Sequence, residues 1–259
     1  MGYKKDVLVM AVYAGEIMLG NGAETYRVED TIARLCKSGG FAYVETFVTP
    51  TGIFLCLDQK NTSEEMTSYI KRIRTRSINL NKVALVNEFS RDFVDGGMDI
   101  EEAMARLKEI DRTPSYRKRY KVFFGGIASG FFALLFQSTI PEALCAFLTG
   151  LIVTFALTSL SNKKVPFFLS HILGGIILAT VALLLSSLSH TIDIDKIIIG
   201  AIMVMVPGVA ITNAVRDSIL GDLLSGLARA AEALIIAVSI AFGIGAVLNI
   251  WSLLGGLLL

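Results

Sequence analysis

Histidine is scarce in this sequence of 259 residues, and its distribution limits the chemistry of the first part of the chain. Both histidines, His171 and His190, lie after residue 170, so the charged first part has no Ser-His or Cys-His pair and no histidine metal site. The three cysteines, Cys36, Cys56 and Cys145, are isolated and odd in number, which supports neither a zinc site nor a disulfide framework. We therefore predict no metal, no cofactor and no enzymatic activity.

Charged residues are scarce in the second part of the chain. Residues 1–121 contain 36 of the 47 charged residues, which leaves 11 for residues 122–259. The mean hydropathy of +0.62 indicates that much of the chain needs an apolar solvent. The basic run Arg117–Lys121 marks the expected boundary between a domain over residues 1–116 and a transmembrane helical domain over residues 117–259. A net charge of +1 gives no indication of nucleic acid binding.

The first domain combines helical and strand-like patterns. Apolar residues at helical spacing predict helices before and after a region rich in aromatic and β-branched residues, 41–57. Thr49, Pro50, Thr51 and Gly52 interrupt that region and predict a hairpin turn. Residues 69–78 alternate Lys or Arg with Ile and Thr, which is typical of an edge or third strand with a basic outer face. The sequence predicts an α+β cytoplasmic domain followed by an all-α transmembrane bundle.

Five apolar segments approach the length of about 20 residues that is needed to cross a bilayer. They cover residues 122–140, 143–160, 167–188, 197–212 and 233–253. Basic residues precede the first segment, follow the second at Lys163 and Lys164, and follow the fourth at Arg216 and Arg229. This alternation predicts about five spans, a cytoplasmic N-terminal domain and an external C-terminus. Small residues in the segments, such as the pair Gly126 and Gly130 and the pair Ala241 and Gly245, are typical of helix packing in membranes.

Pro207 and Gly208 interrupt the fourth segment, where they are expected to break or kink its helix. Freed backbone groups at such breaks bind polar solutes in many transporters. Ionisable residues follow the break, and such groups are costly in lipid unless they are paired or hydrated. An alternative is that the segment simply ends near Thr212, with Arg216 and Asp217 as anchors at the membrane interface. The candidate pathway residues are Pro207, Gly208, Asn213, Arg216, Asp217, Asp222 and Arg229.

Two stretches resemble threonine/serine exporter proteins of the ThrE type. One combines Gly22–Thr31 with Phe47–Gly52 and includes Glu24, Arg27, Glu29, Asp30, Thr49, Pro50 and Thr51 as a cytoplasmic motif. The other is the series Pro207-Gly208, Asn213, Arg216-Asp217, Gly221-Asp222, Ser225-Gly226 and Arg229. The resemblance covers about residues 10–250 and implies a multi-pass protein of the bacterial inner membrane.

The full-length exporters carry a second membrane unit, which this chain does not show. It therefore resembles the larger subunit of the split form (YjjP-like), which works with a small membrane partner (YjjB-like). For full-length proteins the resemblance implies secondary export of threonine and serine coupled to a proton or another cation. For split forms it implies a dicarboxylate such as succinate. A homo-oligomer is the alternative to a partner subunit.

Two other functions remain open from the residues alone. A membrane-tethered hydrolase-like enzyme would use Glu24, Glu29 and Asp30 with a threonine hydroxyl, although Arg27 and Arg34 balance these carboxylates. A regulatory or docking role would use the basic side formed by Arg72, Arg74 and Arg76, which can meet anionic lipid headgroups or an acidic partner. The same arginines can equally protect a solvated edge strand from aggregation.

Overall fold

The computed structural model of the chain describes residues 2–58, 66–161, 165–189 and 191–255. It divides into two compact units. The first unit contains residues 1–115 together with Gly208–Ala231, and the second contains residues 116–207 together with Glu232–Leu259. The predicted order of a domain followed by a bundle is therefore wrong, because a segment from the far end of the chain returns to the first unit.

The first unit packs helices against a small antiparallel sheet. Its elements are α1 (Gly2–Gly20), α2 (Thr25–Ser38), β1 (Tyr43–Thr49), β2 (Gly52–Asp58), β3 (Thr67–Arg72), α3 (Leu80–Val94), α4 (Ile100–Arg112), α9 (Gly208–Ile219) and the start of α10 (Leu223–Gly255). The strand order is β1-β2-β3. Thr49 pairs with Gly52 across the predicted hairpin, which is confirmed. The core includes Met10, Met18, Ile32, Leu35, Ile53 and Phe89, all almost fully buried.

The second unit is entirely helical in the part of the chain that the structure describes. It contains α5 (Lys118–Leu135), α6 (Ile140–Leu160), α7 (Phe167–Ser186), α8 (Ile194–Ile202) and the remainder of α10. Two apolar clusters hold it together, with Leu178 and Ile240 central to one and Ala146 and Ile197 central to the other. The predicted contact at Gly126 and Gly130 is present, because a Cβ on Gly130 would lie 3.2 Å from the Ala143 carbonyl oxygen.

Three helices among the described residues have the length and hydropathy of membrane spans, and the prediction of about five is wrong. They are α6, α7 and α10. Only 28 to 33% of the residues in the most apolar stretch of each helix are buried, so most of these residues are at least partly exposed. Exposed apolar surface on this scale is typical of helices that face lipid.

The other two predicted spans do not form single long helices, and the structure shows why. Residues 122–140 do not form one helix, because α5 ends at Leu135 and Gln137 takes a φ of 62°. Thr139 and Glu142 then form a capping box that begins α6. The segment over 197–212 is interrupted between Ile202 and Gly208, which leaves α8 with nine residues. At 1.5 Å per residue such a helix covers only about 14 Å of a hydrocarbon core of about 30 Å.

Candidate functional site

An ion pair between Asp217 and Arg229 lies at the centre of the candidate site, inside the first unit. Asp217 is fully buried in α9 and Arg229 is 7% exposed in α10. The Arg229 Nε donates to Asp217 Oδ2 over 3.0 Å, and its Nη2 donates to the Ala23 carbonyl oxygen over 2.8 Å. The pair therefore connects α9 and α10 to the backbone that precedes α2. Buried charges of this kind are tolerated only when they are paired and hydrogen-bonded.

Thr25 connects the N-terminus of α2 to two carboxylates. Its Oγ1 lies 3.0 Å from Asp217 Oδ1 and 3.2 Å from Asp222 Oδ2, and its backbone N lies 3.4 Å from Asp217 Oδ1. The N-cap residue Glu24 makes no side-chain capping bond. Asp217 thus supplies, from 192 residues away, the negative charge that a helix N-terminus favours.

Glu24 forms a second, more exposed pair of contacts at the edge of this site. It accepts hydrogen bonds from Arg27 Nε over 2.8 Å and from Arg216. Burial acts to raise the pKa of Glu24, but a backbone hydrogen bond and the charges of Arg27 and Arg216 outweigh it and hold that pKa below its ordinary value. The Arg216 side chain remains 53% exposed, so its guanidinium is accessible to solvent.

Glu29 and Ser225 hold the end of β1 against the same group of residues. Glu29 Oε1 accepts a hydrogen bond from Val48 N over 2.7 Å, and Ser225 Oγ donates to the Val48 carbonyl oxygen over 3.3 Å. Burial raises the pKa of Glu29, the hydrogen bond from Val48 lowers it, and the charges of Asp222 and Asp217 raise it further. The net effect is a pKa above the ordinary glutamate value.

The raised pKa of Glu29 predicts a pH dependence of stability. The folded chain holds this proton more tightly than the unfolded chain, so the free energy of unfolding falls as pH rises from the ordinary glutamate pKa of 4.5 through the raised value. Glu29→Gln keeps an acceptor for Val48 N but cannot ionise, so its stability should not show this fall. Thermal unfolding of both proteins between about pH 4 and pH 8 measures the difference.

Glu88→Gln is the matched control for this prediction, because Glu88 is exposed in the same unit, on α3, and is not among the charges that raise the pKa of Glu29. It should show the same pH profile as the unaltered chain. A constant difference in stability between the unaltered chain and Glu29→Gln at every pH would contradict the assignment.

The remaining predicted residues divide into those near this site and those apart from it. Asn213 Nδ2 donates to the Gly22 carbonyl oxygen over 3.0 Å, where Gly22 takes a φ of 96°. Gly208 begins α9, and a Cβ there would meet no atom within 4 Å. Pro207 immediately precedes that helix. Apart from the site, Asp30 pairs with Arg34 on the surface.

The turn residues Thr49, Pro50 and Thr51 connect β1 to β2, with the two threonine hydroxyls 3.5 Å apart. Within the described residues, no group of three His, Cys, Asp or Glu side chains is placed to hold a metal ion. His171 lies in α7, with Nδ1 2.7 Å from the Phe167 carbonyl oxygen. His190, Lys163 and Lys164, on which predictions were made, lie outside the described residues.

The two motifs that were identified separately in the sequence therefore meet in one site. Sequence reasoning did not single out Thr25, Ser225 or the Ala23 carbonyl group as members of it. Thr25 and Ser225 lie within the two quoted motifs, but the presence of a serine or threonine does not predict a contact with a distant segment. Their role is visible only once α9 and α10 are seen to return to α2.

Comparison with known proteins identifies the family. The profile of the ThrE family, described as "Putative threonine/serine exporter", matches residues 9–251. The chain belongs to this family. It is therefore a membrane protein of an exporter family, in agreement with its apolar helices.

Several curated relatives are similar at low identity. The chain is 23% identical to the "Probable threonine/serine exporter" of Mycobacterium tuberculosis, over 93% of this chain and 46% of that protein. It is 22% identical to the "Threonine/serine exporter" of Corynebacterium glutamicum, over 92% of this chain and 50% of that protein. The chain thus spans about half the length of these two relatives. No solved structure matches.

A second kind of relative has a similar length. The chain is 22% identical to the "Probable succinate transporter subunit YjjP" of Escherichia coli, over 97% of each protein. A relative of the same name from Klebsiella aerogenes is 21% identical, over 97% of this chain and 96% of that protein. The word subunit in these names implies a partner chain.

Proposed function

We propose that this chain is a subunit of a secondary transporter that exports small polar metabolites across the bacterial inner membrane. The candidate substrates are threonine, serine or a dicarboxylate such as succinate, and transport is coupled to a proton or another cation. The observation that carries the proposal is the family match over residues 9–251. The relatives that align over nearly their full length are named as subunits of a succinate transporter, which favours the two-chain form.

We base the membrane arrangement on the basic run that precedes α5 and on the helix lengths. The first unit is cytoplasmic, because Arg117, Lys118, Arg119 and Lys121 mark the cytoplasmic side of the following helices. The three candidate spans are an odd number of crossings, which supports a multi-pass chain with an external C-terminus. Helix α10 has 33 residues, or about 50 Å, so it is longer than a hydrocarbon core of about 30 Å.

The pathway residues are those around the interruption before α9. Pro207 and Gly208 separate α8 from α9, and such interruptions free backbone groups that can bind a polar solute. Arg216 contacts Glu24 through Nη1 and is half-exposed, so the remaining donors of its planar guanidinium can bind the carboxylate of a substrate. Threonine, serine and succinate all carry a carboxylate. Around Arg216, α9 and the start of α10 are held in place by Asn213, Asp217, Asp222 and Arg229.

A partner is expected because alternating access commonly uses repeated membrane units, and three candidate spans are few for that purpose. The partner is a small membrane subunit, with a homo-oligomer as the alternative, and lipid surrounds the apolar helices. No enzymatic activity is proposed. The carboxylates that a hydrolase would use are engaged by Arg27, Arg34, Arg216 and Val48 N.

Export from cells tests the proposal. We expect bacteria that lack their own threonine, serine and succinate exporters to release at least one of these solutes faster when they express the chain with a small membrane partner. Arg216→Ala should reduce this release to the background, because the carboxylate loses its guanidinium. Solute concentrations in the medium over time give the rate.

Arg106→Ala is the matched control, because Arg106 is a similarly exposed arginine paired with Asp92 in the same unit. Its export rate should equal that of the unaltered chain. If Arg216→Ala exports as fast as Arg106→Ala at equal expression, the assignment of Arg216 to the pathway is wrong.

A further inference from the structure

A pocket rich in arginine lies in the first unit, in the connection between β3 and α3. One cavity of about 330 Å³ is lined by Arg74, Arg76 and Lys82, together with the carboxylates of Glu16 and Asp111. A second cavity of about 510 Å³ is lined by Thr51, Arg72, Ile73, Arg74 and Arg76. The two cavities share Ile73, Arg74 and Arg76, so they are adjacent, and together we call them the arginine pocket.

The backbone of the arginine pocket is held in place at both ends. Ile73 N donates to the Thr51 carbonyl oxygen over 2.9 Å, and Ser77 N donates to the Gly20 carbonyl oxygen over 2.8 Å. Ile73 is 6% exposed and packs into the core. In extended chain, neighbouring side chains point to opposite faces, so Arg72 and Arg74 project on the face opposite Ile73. The arginines therefore lie on a segment whose backbone is held by hydrogen bonds at both ends.

The carboxylates that line the pocket are already neutralised by other groups. Glu16 pairs with Lys71 over 2.9 Å. Asp111 accepts a hydrogen bond from the Tyr13 hydroxyl over 2.8 Å and lies 3.6 Å from Lys82 Nζ. Within the part of the chain that the structure describes, no carboxylate forms an ion pair with Arg72 or Arg74. Among the described residues, the guanidinium groups of Arg72 and Arg74 therefore line the pocket without a carboxylate partner.

Protection of a sheet edge does not account for this arrangement. β3 is an edge strand of the sheet, and basic side chains on such a strand discourage pairing with other chains. However, β3 ends at Arg72, whereas the strand was predicted to continue to residue 78. Arg74 and Arg76 lie beyond the strand, where the backbone at Ile73 and Ser77 is already hydrogen-bonded. Edge protection therefore explains Arg72 at most.

We propose that the arginine pocket binds a phosphate group. A phosphate monoester carries a charge of about −1.5 to −2 near neutral pH, which matches the two positive charges of Arg72 and Arg74. Arginine presents its donors as a planar fork that fits phosphate oxygens through paired hydrogen bonds. The phosphate belongs either to a small soluble metabolite or to the headgroup of an anionic lipid. The site is separate from Arg216 and Asp217 and does not depend on the proposed transport function.

Binding of inorganic phosphate to the full chain in a neutral detergent tests the proposal. We expect saturable binding by isothermal titration calorimetry, and no such binding of chloride at the same ionic strength. Arg72→Gln/Arg74→Gln should weaken phosphate affinity about 10-fold or more, because two charge-assisted contacts are removed. Arg72→Lys/Arg74→Lys keeps the charge but loses the fork, so it should bind with intermediate affinity.

Lys37→Gln/Arg91→Gln is the charge-matched control, because both residues are exposed in the same unit and line neither cavity. It should bind phosphate as the unaltered chain does. A parallel titration with dihexanoylphosphatidylglycerol, against dihexanoylphosphatidylcholine, distinguishes the two sources. Binding of dihexanoylphosphatidylglycerol without binding of inorganic phosphate assigns the site to lipid headgroups. Equal affinity in the Arg→Gln variant and the control, or no binding of either phosphate compound, overturns the proposal.

Discussion

Asp217→Ala is expected to destabilise the first unit by about 3–5 kcal/mol, because it leaves Arg229 buried without its partner. The same change removes one of the two carboxylates near the Thr25 hydroxyl and takes negative charge away from the N-terminus of α2. Three segments of the chain therefore lose a common contact. Denaturant unfolding of the full chain in detergent, followed by circular dichroism, measures the cost.

Asp92→Ala is the control for that measurement. Asp92 pairs with Arg106 over 2.8 Å, but both side chains are well exposed, at 42% and 38%. Solvent screens such a pair, so its loss should cost no more than about 1 kcal/mol. If Asp217→Ala costs no more than Asp92→Ala, the Asp217–Arg229 pair does not hold α9 and α10 on the first unit.

Gly243→Ala is expected to destabilise the second unit by about 1–3 kcal/mol through overpacking. A Cβ on Gly243 would overlap the Ile172 carbonyl oxygen and lie 3.0 Å from Ile176 N, both in the backbone of α7. A Cβ on Gly175 of α7 would in turn lie 2.7 Å from the Ile240 carbonyl oxygen. Because backbone cannot move aside as a side chain can, α7 and α10 must separate. The thermal midpoint in detergent reports the loss.

Gly245→Ala provides the comparison on the same helix. A Cβ at Gly245 would meet no atom within 4 Å, so the change should be neutral or stabilise the helix by up to about 1 kcal/mol. The sequence pattern pointed to Ala241 and Gly245 as a close-packing pair, whereas the structure places the close approach at Gly243. Equal midpoints for the two variants would contradict this contact between α7 and α10.

The sequence predicted local features well where one residue type decides the backbone. Thr49-Pro50-Thr51-Gly52 predicted a hairpin because proline fixes φ and glycine tolerates a wide range of it, and the turn is there. Pro207-Gly208 marked the place where α8 and α9 are separate helices. The family resemblance, carried by the two motifs, is also confirmed.

The number of spans was predicted less well, because hydropathy does not show where an apolar helix ends. The apolar run over 122–140 continues through Phe136, but the Thr139–Glu142 capping box starts a new helix within it. The return of Gly208–Ala231 to the first unit was not predictable either. It depends on contacts between residues 192 to 206 positions apart, such as Asp217 with Thr25 and Arg229 with Ala23. A periodic pattern in the sequence predicts local elements, and it does not predict a contact between residues so far apart.

Solute flux in liposomes shows whether the chain transports polar metabolites. Purified chain is reconstituted with a small membrane partner, and the liposomes are loaded in turn with labelled threonine, serine and succinate. Transport predicts efflux of at least one solute well above that of protein-free liposomes, with Arg216→Ala reduced to that background and Arg106→Ala unaffected. Efflux of all three solutes no faster than from protein-free liposomes, with both chains folded in the membrane, would contradict the account.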